Sequence, residues 1–162
     1  MWGFFAAIIG KDDQSVRTPR FSPDLQKLVY LENVARGPDT RAMKLMMFNW
    51  VTKKYSTIID IVMKPTAESG FPGIYPVYVG LPKLCWASDS ERVVFHSSWG
   101  SRKELVYVSV KSKVIKKISQ KEYGSSELLA IQNDWMVVSC SSPNRPPILV
   151  GSSLDLTDLR SW

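Results

Sequence analysis

The chain holds only two cysteines, Cys85 and Cys140, and a single histidine, His96. A structural zinc site takes three or four Cys and His ligands, so none of the usual sets can be assembled, and no metal or other cofactor is expected. Each cysteine sits in an apolar run, where a thiol packs as a small hydrophobe, and nothing marks secretion. Both are expected as free thiols. Long hydrophobic runs are missing too: the apolar opening Met1–Gly10 has no basic flank and is about half the ~20 residues needed to cross a bilayer. It is expected as a strand or a ragged end, with no membrane association. Helical periodicity is scarce, because no segment sustains apolar residues at i, i+3, i+4 and i+7 for three turns; the best helical candidate is Leu154–Trp162.

What is present suits a folded domain, since 44% of the 162 residues are hydrophobic and 11% are aromatic. That composition excludes a disordered chain. Ten prolines and nine glycines are enough for frequent turns and too few for a low-complexity linker. A net charge of +6 favours solubility and weak attraction to anions, and does not by itself imply nucleic acid, which is not expected as a partner.

The informative feature is an internal repeat. Phe21-Ser22-Pro23-Asp24-Leu25-Gln26-Lys27-Leu28-Val29-Tyr30 runs parallel in residue type to Trp86-Ala87-Ser88-Asp89-Ser90-Glu91-Arg92-Val93-Val94-Phe95. Each has an aromatic, two small or turn residues, an Asp, polar positions ending in a base, and then β-forming apolar residues, which together read as turn into strand. Downstream, 44–54 matches 104–114, and each copy closes with another apolar run, Thr57–Val62 and Val114–Ile118. A third, weaker copy begins at Leu128, again with an Asp, Asp134, ahead of a strand, and breaks off after Pro146-Pro147-Ile148-Leu149-Val150. The long spacing is taken up by loops at Asn33–Ala42 and Lys64–Lys83. Recurring units of three or four antiparallel strands are the sequence signature of propeller blades. The expected fold is all-β: a partial, open β-propeller of about two antiparallel blades plus part of a third.

Four blocks carry a resemblance to a known family: Arg20-Phe21-Ser22-Pro23-Asp24, Leu28-Val29-Tyr30-Leu31, the run from Gly73-Ile74-Tyr75 to Phe95, and Ser141-Ser142-Pro143-Asn144-Arg145-Pro146-Pro147. Together they resemble the acylaminoacyl-peptidases of the prolyl oligopeptidase family of serine hydrolases. The likeness spans residues 15–150 and lies in that family's N-terminal propeller, leaving 1–14 and 151–162 as segments that do not follow the pattern. It implies a non-catalytic propeller segment of a cytoplasmic enzyme that releases N-acylated amino acids from blocked peptides, with the propeller covering and gating the active site. Other blades or a hydrolase domain of the parent enzyme are the implied partners. The family's nucleophile sits on a Gly-x-Ser-x-Gly elbow, and no such motif occurs here, so no catalytic residue is carried over and the chain itself is expected to be inactive. The alternative is a stand-alone β-sheet interaction module that captures a partner by strand addition; electrostatic binding of an anionic polymer is a third reading.

Individual residues are read against that background. Phe21 and Trp86, with Asp24 and Asp89, are the structural anchors of the repeat; the aromatics are expected to be buried and the aspartates to fix turns by accepting backbone N–H groups. His96 is expected at a strand end in a structural role, with Ser97 and Ser98 as turn formers. Lys111, Lys113, Lys116, Lys117 and Lys121 form a basic run best read as a solvated turn between strands. Trp50, Trp86, Trp99 and Trp135 are expected to fill the spaces between blades.

Overall fold

Turn residues and apolar runs alternate along the chain, and the backbone follows them. The computed structural model describes residues 12–35, 41–65, 70–76, 80–119 and 124–154. Within it, β1 (Gln14–Phe21), β2 (Lys27–Val34), β3 (Lys44–Asn49) and β4 (Lys54–Ile59) form one sheet in chain order. A second sheet follows from β5 (Arg92–Trp99), β6 (Arg102–Ser109) and β7 (Ile115–Lys117), and a third from β8 (Ser125–Gln132), β9 (Trp135–Ser142) and β10 (Arg145–Ser153). A bridge from Trp86 to Val93 adds the beginning of a fourth strand to the second sheet. All strand pairs are antiparallel, so the chain is an all-β, open set of propeller-like sheets. No helix occurs among the described residues. Leu154 is buried and non-helical, and the rest of the helical candidate, like Met1–Gly10 and Lys121, lies outside the described residues.

The repeat fixes which face of each sheet meets which neighbour. Successive strand residues point to opposite faces, and both faces of β2 and β5 are apolar. Val29 and Leu31 of β2, with Leu45 of β3, pack against Val93 and Phe95 of β5 and Val106 of β6, which forms the core between the first two sheets. The opposite face of β5 carries Val94, which joins Leu105, Tyr107, Leu128, Met136 and Val138 in the core between the second and third sheets. Val29 and Val94 are equivalent repeat positions, and each faces the following sheet. Leu28 and Tyr30 correspond to Val93 and Phe95; these latter two face the preceding sheet, whereas Leu28 and Tyr30 join Phe48 in a third cluster on the first sheet's outer face. Burial there, followed by the charge of Glu32, pushes the Tyr30 phenol up to about 12.

Two expectations are corrected by this geometry. Trp86 is buried (6% exposed) between the first and second sheets, but Phe21 is 49% exposed. Phe21 occupies the same repeat position, facing a preceding sheet that the first sheet lacks among the described residues; its ring contacts only the rim, edge-on to Trp50 at 5.7 Å. Trp135 is likewise 66% exposed instead of filling an inter-sheet space, because it stands on the third sheet's outer face. Trp99 does behave as expected, packing against the first core and edge-on to Phe71 at 5.7 Å. Trp50, like Trp135, fills no space between two described sheets: it packs on Phe48 in the outer cluster of the first sheet.

The segment entering the second sheet is gripped by β1. Arg20 donates from Nε to the Pro82 carbonyl (2.6 Å) and from Nη2 to the Leu81 carbonyl (2.8 Å), and the Trp86 indole N–H donates to the Arg20 carbonyl (3.1 Å). A bulge between Arg17 and Arg20 turns Thr18 to φ +47, and its hydroxyl accepts the Leu81 N–H at 3.1 Å. Gly80 lies so close that a Cβ would approach Thr18 Cγ2 to 2.5 Å, and its own φ of +69 disfavours any side chain.

These contacts separate the two repeat anchors energetically. Replacing Trp86 by Ala empties a packed interior and should cost roughly 3–5 kcal/mol, read as a lowered denaturant midpoint. Phe21→Ala should cost a minor fraction of that; equal losses would contradict the assignment of Phe21 to an open face.

Candidate functional site

Three equivalent turns, each leading into the second strand of a repeat, lie side by side and are stitched across the sheets. In the first, Ser22 Oγ donates to Asp24 Oδ1 (2.5 Å), which also accepts the Gln26 N–H (3.0 Å); in the second, Asp89 Oδ1 accepts the N–H groups of Glu91 (2.8 Å) and Arg92 (2.9 Å). Asp24 is held below the usual carboxylate range chiefly by the Ser22 hydroxyl. At Asp89 burial works upward and is outweighed by its backbone and Arg92 hydrogen bonds, so the net direction is again down. Between turns, the Asp24 N–H donates to Ser90 Oγ (3.1 Å), Lys27 Nζ donates to the Ser90 carbonyl (3.1 Å), and the Ser88 N–H donates to Asp134 Oδ1 (2.9 Å), with Ser88 Oγ also bonded to that carboxylate.

Beside these turns lies a cavity of about 420 Å³, where Phe21 and Pro23 of the first repeat, Leu84 and Trp86 of the second and Ile131 of the third converge. Lys83 and Gln132 are among its polar lining residues. Its size falls within the range that takes small organic groups. The repeat anchors Phe21 and Trp86 thus line one cavity, while Asp24 and Asp89 stabilise turns, as expected of them.

His96 sits elsewhere, inside β5 and not at a strand end, on the face turned towards the third sheet. It is 6% exposed, and its Nε2 lies 3.9 Å from Glu127 Oε1 of β8, beyond hydrogen-bond reach; its buried Nδ1 has no partner. Glu127 is bound instead by Lys103 of β6, with Nζ to Oε2 at 2.7 Å. Burial lowers the imidazole below its ordinary 6.5, with the Glu127 charge opposing and that of Lys103 assisting. Glu127 is lowered chiefly by the Lys103 hydrogen bond.

Ser97 and Ser98 also belong to β5, where the strand continues to Trp99, and are not turn formers. Ser97 points to the face opposite His96: its hydroxyl donates to the Gly73 carbonyl (2.8 Å) and accepts the Tyr75 N–H (2.9 Å), so it ties a connecting loop to the sheet. Period-two alternation therefore keeps this serine and histidine apart. Of the basic run, Lys111 and Lys113 lie exposed in the β6–β7 turn, whereas Lys116 and Lys117 belong to β7 instead of a turn, and Lys117 is paired to Glu104 (2.8 Å). Cys85 and Cys140 are buried free thiols, and burial pushes Cys85 up to about 12, which leaves it protonated and unreactive. No group of three or more His, Cys, Asp and Glu able to hold a metal occurs among the described residues, and no helix there is long and apolar enough to cross a membrane.

Sequence reasoning missed Glu127, Lys103 and Arg20 as partners across sheets. The signal for Glu127 and Lys103 was a pair of opposite charges within otherwise apolar strands, one in each of two repeats. Arg20 had no signal beyond its place in the family-like block, because its acceptors are backbone carbonyls.

The repeated turn-and-strand units, stacked with equivalent faces, define part of a propeller-class domain. The same arrangement recurs in the crystal structure of TolB from Acinetobacter baumannii, with a TM-score of 0.57 at 12% identity over 90% of this chain and 31% of that one, a likeness of fold alone. The sequence matches the family described as acylamino-acid-releasing enzyme, N-terminal domain, over residues 6–161, and the chain belongs to that family. It is 37% identical over 143 residues to the acylamino-acid-releasing enzyme of Mus musculus and 36% identical over 143 residues to that of Homo sapiens. In both comparisons 88% of this chain is covered, and the chain spans 19% of the relative's length.

The His96 cluster makes stability depend on pH with a definite sign. As pH falls through about 6.5, histidine in the unfolded chain takes up a proton before the buried His96 does, so the unfolded state gains and stability falls. Glu127, lowered in the fold, acts in the same direction as pH drops further, below about 4.5. A melting series should show a falling midpoint between about pH 7 and pH 5.5 that is flattened in His96→Gln; identical slopes in both proteins would remove His96 as the cause.

Proposed function

We propose that the chain serves as a non-catalytic propeller segment of an acylamino-acid-releasing enzyme, packing against further blades and covering the approach to a hydrolase domain. The observation that carries this reading is the outer face of the third sheet. Trp135, Val137 and Leu149 stand exposed there, on the side by which Val29 and Val94 meet a following sheet in the earlier repeats. A face of that composition on a lone domain would be a liability, whereas on one blade of a ring it is the surface that the next blade covers. Two buried thiols in the reduced state suit the cytoplasm.

The reading excludes hydrolysis by the chain alone, because Ser97 is held by Gly73 and Tyr75 on the opposite face from His96, leaving no hydroxyl-imidazole pair there. The purified chain should neither cleave acetyl-alanine anilide above background nor be labelled by a fluorophosphonate. Turnover abolished by that reagent, with contaminating hydrolases excluded, would overturn the non-catalytic assignment. Co-expressed with the remainder of a family enzyme, the chain should co-purify with it, and Trp135→Asp should weaken this at least about tenfold while leaving the chain's own melting midpoint nearly unchanged, since the residue is exposed.

A further inference from the structure

The cavity beside the three repeated turns is left without a role by the propeller reading, and its construction is regular. Counted back from the Asp of each turn, Phe21, Trp86 and Ile131 stand three residues ahead, and Pro23, Ser88 and Asn133 stand one ahead. Each repeat thus contributes the same two positions to one hollow of about 420 Å³. Trp86 and Ile131 are buried, whereas Phe21 and Leu84 are each 49% exposed although both line the hollow, so apolar surface is left uncovered there. The polar part of the lining departs from the repeat. Lys83 stands six residues ahead of Asp89, where the other two repeats have the uncharged Thr18 and Leu128. Its ammonium is exposed and engages no described residue, and the side-chain amides of Gln132 and Asn133 are likewise exposed without a described partner. Asp24, Asp89 and Asp134, each next in sequence to a lining residue, are already held: Asp24 by Ser22 and Lys27, Asp89 by Arg92, and Asp134 by Ser88.

An uncovered apolar wall with one unengaged cation and two carboxamides beside it complements an apolar group that carries a carboxylate. Burial of the apolar part supplies attraction without direction, and a charge-assisted bond from the ammonium decides which end of the ligand lies where. We propose that this hollow binds a hydrophobic monocarboxylate, with its aromatic or branched alkyl group against Phe21, Leu84 and Trp86 and its carboxylate on Lys83 Nζ. The Gln132 and Asn133 amides are donors for the carboxylate lone pairs that Lys83 leaves over. A free aryl or alkyl carboxylic acid and the C-terminal residue of a peptide present this same chemistry. An ammonium ligand of equal size would bring like charges together at Lys83, and a neutral alcohol would forgo the ion pair. The hollow is separate from the third-sheet face that carries the propeller reading, and neither proposal depends on the other.

The test is titration of the 162-residue chain at low salt and about pH 7.5, where a carboxylic acid is ionised. Binding is followed by calorimetry and by the indole N–H resonances, since Trp86 lines the hollow whereas Trp99 stands at the far end of β5 against Phe71. The probes are 3-phenylpropionate, its neutral and cationic counterparts 3-phenylpropanol and 3-phenylpropylamine, and a glycyl-glycyl-phenylalanine tripeptide. The acid should saturate in the millimolar range that a ligand of its size allows, moving the Trp86 resonance and leaving that of Trp99 in place. It should bind at least about threefold more tightly than the alcohol, and the amine should be the weakest of the three. A tripeptide that binds more tightly than the acid would assign the source as a peptide C-terminus; an equal or weaker affinity would assign it as a free acid. Lys83→Gln, at an exposed position, should weaken the acid at least about threefold while leaving the alcohol within about twofold. Phe21→Ala, which removes a half-exposed ring, should weaken both at least about threefold. Lys113→Gln removes an exposed charge from the β6–β7 turn and should change either affinity less than about twofold. No saturation up to roughly 20 mM, an unmoved Trp86 resonance, an acid bound no better than the alcohol or the amine, or equal losses in Lys83→Gln and Lys113→Gln would overturn the proposal.

Discussion

Everything in this fold depends on the two-sided burial of β5. A strand with Val93 and Phe95 on one face and Val94 and His96 on the other has no solvent side, so it can exist only with a sheet against each face. The first sheet satisfies one demand and the third satisfies the other. Because the side-chain period is two, a slip of one residue would exchange the faces, moving His96 into the all-apolar core against Val29 and Leu45. The unpartnered Nδ1 and the distant Glu127 already make His96 an imperfectly satisfied buried group; in the first core it would have no carboxylate within reach. The His96–Glu127–Lys103 cluster therefore helps to specify register, at some expense in stability.

Hydrogen bonds at the three repeated turns complete what the cores begin. Hydrophobic contact is non-directional and would tolerate sliding of one sheet over another, whereas Asp24 to Ser90 and Ser88 to Asp134 tie each turn to the next at fixed points. The same aspartates that close their own turns thus lie beside the groups that set inter-sheet spacing. Arg20 acts similarly on the connector, pinning two consecutive carbonyls before the chain enters the second sheet.

The repeat was legible because its turns need particular residues: Asp24 and Asp89 accept backbone N–H groups, and β-branched or aromatic residues follow in strands. Strand pairing and order followed from it. Which faces were covered was not legible. Phe21 and Trp86 have the same local pattern, and a pattern carries no information about whether a neighbouring sheet is present to bury the ring; Trp135 was misread for the same reason. His96, Ser97 and Ser98 were read as leaving the strand because polar residues usually end one, yet here each inward hydroxyl or imidazole meets a polar partner or near-partner from another segment. Such partners are separated widely in sequence, and only the packing reveals them.

The edges and the open face of the sheets are treated differently, and the contrast bears on how a partner would dock. β7 is three residues long and carries Lys116 and Lys117, β4 opens at the exposed Lys54, and β10 has Pro146 and Pro147, which have no N–H to offer, directly after its first residue. Short length, lysine and proline are the devices that keep strand edges from pairing with other chains. The outer face of the third sheet carries no such device at Trp135, Val137 and Leu149. At β4, β7 and β10, guarded edges beside an unguarded apolar face argue for a partner that stacks on the sheet instead of extending it there. Face-to-face packing of the kind already present between the chain's own sheets is the mode that this surface continues.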